Sequence, residues 1–175
     1  MANKQALREL QSRLAERLQA ARTEAQGSSW LAVECGGRGF LLPLRDAGEI
    51  FALVPIQPVP HSHRWFLGVA NLRGRLHGVV DLAGFLGIKT QGGLEAGREQ
   101  SRLVGFNPSL EINCVLMVDR LAGLRGDDQL TREPDAGAPR PALAGARMHD
   151  VSGRLWQELN LAELAVDESF LRIVA

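Results

Sequence analysis

The chain has 175 residues, 45% hydrophobic and 23% charged, a composition that excludes disordered and fibrous classes and allows one domain or two very small ones without disulfide staples. Twenty Lys and Arg balance 20 Asp and Glu, so no field of one sign surrounds the molecule and nucleic acid is disfavoured as a partner. With 19 Gly and 8 Pro among Val and Leu, the expected fold class is mainly β, with many short strands and turns.

Residues 3–25 contain no Gly or Pro and are rich in helix formers. Leu7, Leu10, Leu14, Leu18 and Ala21 fall on one stripe, and Glu9 stands one turn before Arg13. This predicts an N-terminal amphipathic helical arm over residues 1–26. An isolated helix of this length is marginal in water, so the arm has to dock to stay ordered. Two arrangements satisfy that equally: docking on a partner or a second copy of the chain, with weak self-association, or folding back on its own domain. Charges at Lys4, Arg8, Glu9 and Arg13 argue against a secretory signal.

After Gln26-Gly27-Ser28-Ser29 the helical period ends, and a domain is expected over residues 27–175. Residues 30–35 and 38–44 flank Gly36-Gly37 as a hairpin, and 50–54 and 56–59 are further extended segments. Residues 61–65 are expected to form a single helical turn. Residues 66–72 and 75–81 surround Arg73-Gly74 as another hairpin, and 82–86 form a short helix that Asp81 is placed to cap. An exposed connection over 89–100 is followed by strands at 101–106 and 111–119 around Asn107-Pro108-Ser109. Residues 127–145 hold four acidic residues and three Pro and are expected to be irregular. Residues 154–160 and 161–165 repeat the strand-then-helix pattern of 76–86, and the apolar ending 170–174 is expected to be tied down. About nine strands at this spacing suggest two small related barrels, 27–90 mainly forming the first and 100–175 mainly the second.

The chain carries no phosphate-binding loop, dinucleotide fingerprint or nucleophile elbow. Cys35 and Cys114, the only two cysteines, sit in apolar strand patterns that suit small buried hydrophobes in a reducing compartment, which makes the cytoplasm the expected location. The stretch 50–63, free of Asp, Glu, Lys and Arg, contains Pro55, Pro58 and Pro60 and is too short to span a membrane, so no membrane insertion is expected. A metal-dependent enzyme using His61, His63 and His77 is the alternative from another class; polar loop histidines are the plainer reading. No cofactor and no catalytic residue are expected.

The densest signal is Trp65-Phe66-Leu67-Gly68-Val69-Ala70-Asn71-Leu72-Arg73-Gly74, followed by His77-Gly78-Val79-Val80-Asp81-Leu82. This run resembles the hallmark segment of the CheW family of chemotaxis coupling proteins. Ala47-Gly48-Glu49-Ile50, Leu116-Met117-Val118-Asp119-Arg120 and residues 153–164 resemble further family segments. The N-terminal arm, Trp30-Leu31, Phe40-Leu41-Leu42-Pro43-Leu44 and residues 154–164 are similar to the branch serving type IV pili and twitching motility, with a flagellar-type coupling protein as the alternative. The resemblance implies two five-stranded SH3-like β-barrels and a non-catalytic adaptor between chemoreceptor tips and a CheA-type histidine kinase. It implies a receptor groove at Glu49, Asn71, Arg73 and Gly74, with Arg73 and Glu49 as an ion pair. It also implies a kinase-docking surface that includes Phe66, Val69, Leu76 and Val79, and receptor-array association through partners.

Overall fold

A computed structural model describes residues 28–88, 98–135, 137 and 139–175. The helical arm expected over 1–26, with Leu7, Leu10, Leu14 and Leu18, lies outside them, as does most of the connection at 89–100. The described elements are β1 (Ser29–Cys35), β2 (Arg38–Pro43), β3 (Ala47–Ala52), β4 (Phe66–Leu72), β5 (Arg75–Asp81), α1 (Leu82–Phe85), β6 (Arg102–Phe106), β7 (Cys114–Val118), β8 (Arg120–Gly126), β9 (Leu130–Arg132), β10 (Ala144–Asp150), β11 (Leu155–Leu159), α2 (Leu161–Val166) and α3 (Glu168–Leu171). The fold is mainly β, as its Gly-rich, short-period sequence predicts.

The strands form two sheets, a six-stranded one in the order β8-β1-β2-β11-β10-β9 and a five-stranded one in the order β3-β6-β7-β5-β4. Each contains one parallel pairing, β2 with β11 and β5 with β7, and a short helix follows β11 in the first and β5 in the second. The halves therefore interlock. Hairpin β1–β2 joins β8 to β11, whereas β3, β4 and β5 join hairpin β6–β7. Each sheet takes most of its strands from one half, β3–β5 from residues 27–90 and β8–β11 from 100–175, and two from the other, so the two sheets fit the expected two barrels with one of them six-stranded.

Three apolar clusters explain the residue patterns. Trp30, Ala32, Leu41, Met148 and Trp156 line one face of the six-stranded sheet, and Ala70, Leu72, Val79, Leu103, Val115 and Met117 one face of the five-stranded sheet. Leu31, Val33, Leu42, Val80, Leu116 and Val118 belong to a third cluster that both sheets and the helices share. Strands β1, β2 and β7 are thus buried on both faces and read as continuous apolar runs. Leu82 and Leu161, the first residues of α1 and α2, enter the shared cluster fully buried. Asn160 caps α2 by accepting from the Glu163 amide at 3.1 Å. Asp81 holds the corresponding position before α1 without a side-chain cap.

Several expectations change. Residues 56–59 form a loop with one isolated bridge, Gln57 to Val69, because Pro55, Pro58 and Pro60 interrupt any ladder. Residues 61–65 form hydrogen-bonded turns rather than a helical turn, with His61 at φ 58. Within the expected irregular stretch lie β9 and the start of β10, while β8 precedes it; β8 and β10 are half-exposed, Arg-containing strands without a buried alternation. The C-terminus is tied down. Phe170 is buried, and His63 N donates to Ile173 O at 2.8 Å.

Candidate functional site

The β4–β5 turn and the facing strand β3 build the first candidate feature. Asn71 Oδ1 accepts from the Gly74 amide at 2.9 Å, closing a turn whose central residues, Arg73 and Gly74, lie at φ 50 and 81. Two successive positive φ angles define the hairpin turn that matches strand twist. Gly tolerates that conformation, but an Arg there costs about 1 kcal/mol. Arg73 Nη2 stands 2.5 Å from Glu49 Oε1, with the two side chains 76% and 42% exposed. Such an exposed pair contributes about 1 kcal/mol or less, so it orients the turn rather than holding the fold.

Beside this pair a groove of about 280 Å³ opens between β3, β5, β6 and β7. Phe51, Leu72, Phe106 and Ile112 supply apolar walls, and Glu49, Arg73, Arg75 and His77 supply the polar rim. The volume falls just below the roughly 300 Å³ at which small-molecule pockets begin, and suits one or two protein side chains. Arg75 is exposed and has no ion-pair or side-chain hydrogen-bond partner among the described residues. Asn71 and Gly74 shape the turn and do not line the groove.

The matching end of the six-stranded sheet is closed. His77 pairs across its hairpin with Ala70, and Trp156 across its own with Met148. Arg75 and Arg154 each stand two residues earlier, and the next residues, Gly78 and Gln157, lie in register with Cys114 and Phe40 of the parallel neighbour. Trp156 is 1% exposed, with Nε1 donating to Asp150 Oδ2 at 2.9 Å. Its ring lies so near Gly39 that a Cβ there would stand 2.6 Å from it, which requires glycine. The Arg154 guanidinium covers the ring at 4.6 Å, and Arg125 stands at 5.7 Å. Glu34 accepts from Arg154 at 2.5 Å and from Arg120 at 2.7 Å. Burial opposes ionisation of Glu34, but the bonds from Arg120 and Arg154 outweigh it and lower its pKa. Asp150 is held well below the ordinary carboxylate range by hydrogen bonds from the Ser152 hydroxyl, the Trp156 indole and the Ser152 and Arg154 amides.

The residues expected at a kinase surface divide. Phe66 and Val79 are core, at 8% and 0% exposure, and offer no docking surface because both point into apolar clusters. Val69 is half-buried against the shared cluster, and only Leu76, at 64%, stands out to solvent. The histidines do not converge. His63 stacks on Trp65 with centroids 5.3 Å apart, while the His77 ring lies 6.4 Å from that of Phe51. Among the described residues, no three His, Cys, Asp or Glu are grouped to hold a metal ion. Cys35 and Cys114 are buried free thiols, and burial pushes the Cys114 pKa up to about 12. No helix among the described residues is long and apolar enough to cross a membrane. Sequence reasoning missed Arg75 as a rim residue and the whole Glu34–Arg120–Arg154–Trp156 assembly. The repeated Arg-Leu at 75–76 and 154–155, each five residues before a helix-capping position, is the signal that aligns the two ends.

Residues 29–169 match the CheW-like domain, and the chain belongs to that family. Among its relatives is the Protein PilI of Pseudomonas aeruginosa, 34% identical over 113 residues that cover 65% of this chain and 61% of the relative. The Chemotaxis protein CheW of Rhizobium meliloti is 35% identical over 63 residues, 36% of this chain and 41% of that protein. This chain thus spans about three fifths of PilI and two fifths of that CheW. The crystal structure of the scaffolding protein TtCheW from Thermoanaerobacter tengcongensis superposes with a TM-score of 0.62 at 17% identity, over 82% of this chain and 96% of that one, and establishes the shared fold.

Proposed function

We propose that this chain is a non-catalytic adaptor that couples chemoreceptor tips to a CheA-type histidine kinase, in the chemosensory system that controls type IV pili and twitching motility. Similarity to PilI supports the pilus assignment. The observation that carries the adaptor role is the exposed Arg73, held at positive φ on the rim of an apolar groove, where the fold alone would favour Gly or Asn. Receptor docking uses this groove, with Glu49 orienting Arg73 and Asn71 and Gly74 fixing the turn. Kinase docking uses the outer side of β5 at Leu76, with Val69 at its margin. Coupling is then the difference in adaptor affinity between receptor states. The protein works in the cytoplasm, attached to receptor arrays through its partners.

Arg73→Ala tests the reading. In a pull-down with the cytoplasmic tip of a co-purifying chemoreceptor, the variant loses receptor while its melting temperature stays within about a degree or two, since an exposed pair is worth little. Capture equal to wild type contradicts the groove's role.

A further inference from the structure

We propose that the groove beside His77 receives from a partner the same two groups that close the other sheet from within, a large apolar ring and a carboxylate, with the carboxylate bound by Arg75. The inference rests on the reading of this groove as a docking site and adds the chemistry that it selects.

The two sheet ends share register on both sides, so Arg75 answers to Arg154 and His77 to Trp156. At the closed end, Arg154 does two things at once: it covers the Trp156 ring at 4.6 Å and bonds the Glu34 carboxylate at 2.5 Å. At the open end the ring is replaced by the smaller, partly exposed His77, and a groove of about 280 Å³ lies beside it. Arg75 there has neither a carboxylate partner nor any side-chain hydrogen bond among the described residues. Glu49 offsets Arg73, so the rim retains one uncompensated cation above the apolar walls of Phe51 and Leu72. A partner segment with a carboxylate beside an aromatic side chain satisfies both deficits, with charge setting the orientation and the ring supplying burial.

Indole-3-propionate joins these two groups in one small molecule. Titrated into the full chain and followed by amide NMR, it should shift the amides of His77, Gly105 and Ile112 saturably. Indole-3-propionamide, which lacks the charge, should bind about two- to fivefold more weakly, the range of an exposed ion pair. R75Q should erase that difference without altering the amide's affinity. H77W, carrying its own indole, should abolish the shifts. Equal affinity for acid and amide, an unchanged preference in R75Q, shifts elsewhere, or no saturable shift would each overturn the proposal. Groove amides that shift on concentrating the protein alone would identify a second copy as the occupant and overturn it as well. The adaptor reading is separable: receptor captured equally by wild type and R75Q removes this proposal and leaves that reading, whereas an acid preference without receptor capture does the reverse.

Discussion

The β4–β5 and β10–β11 hairpins hold the same place in two sheets of like topology, yet one end is sealed by its own side chains and the other is open. At the sealed end the Trp156 indole lies under the guanidinium groups of Arg154 and Arg125, and Glu34 accepts from Arg154 and Arg120, so the ring and the carboxylate are both partnered from within. At the open end a smaller ring and an Arg75 unpaired among the described residues leave apolar walls and a charge uncovered. Side-chain volume at one register position, Trp156 against His77, thus separates a filled sheet end from an open groove on a shared backbone plan.

The largest expected break in this comparison comes from Trp156→Ala. Removing a fully buried indole costs about 3–5 kcal/mol, whereas His77→Ala at the open end costs under about 1 kcal/mol. Urea denaturation of both variants checks the contrast, and equal losses would erase it. Strand β5 gives a second, local version. Val79→Asp places a charge in a fully buried site and should leave little folded protein, whereas Leu76→Glu, 64% exposed, should keep the melting temperature and reduce kinase capture. Circular dichroism and a pull-down separate these outcomes.

A smaller effect depends on pH. Glu34 and Asp150 have folded-state pKa values below their unfolded ones, so their contribution is complete above the ordinary carboxylate range and is lost as pH falls through the folded values. The stability that these two carboxylates contribute should therefore decline as pH falls below the ordinary carboxylate range. In Glu34→Gln the decline should be shallower, starting from a lower plateau at neutral pH, as chemical denaturation across the acidic range would show. A variant as acid-sensitive as the parent would remove Glu34 from the account.

Much of the fold was legible because it rests on local signals. Gly36-Gly37 and Arg73-Gly74 do turn hairpins, at φ 56, 75, 50 and 81, and the strand-helix units at 75–85 and 155–166 follow from apolar runs that end in a polar residue. The interlocking of the halves was not legible, since whether β3 pairs with its own hairpin or with β6 is decided by long-range packing. The half-exposed β8 and β10 carry no alternation that a sequence pattern could detect. At the site, the juxtaposition of Arg73 and Glu49 was legible through family resemblance. The burial of Phe66 and Val79 was not, because a strand pattern shows that faces alternate without showing which face is covered. The bond from Arg154 to Glu34 spans most of the domain in sequence and leaves no local trace.

Hydrogen–deuterium exchange of the full chain, with and without the cytoplasmic tip of a co-purifying chemoreceptor, tests most directly the proposal that the open end is the one a partner covers. The account predicts slowed exchange in residues 71–78 and 103–113, with residues 150–158 unchanged. Protection at the sealed end instead, or equal protection at both, would contradict it.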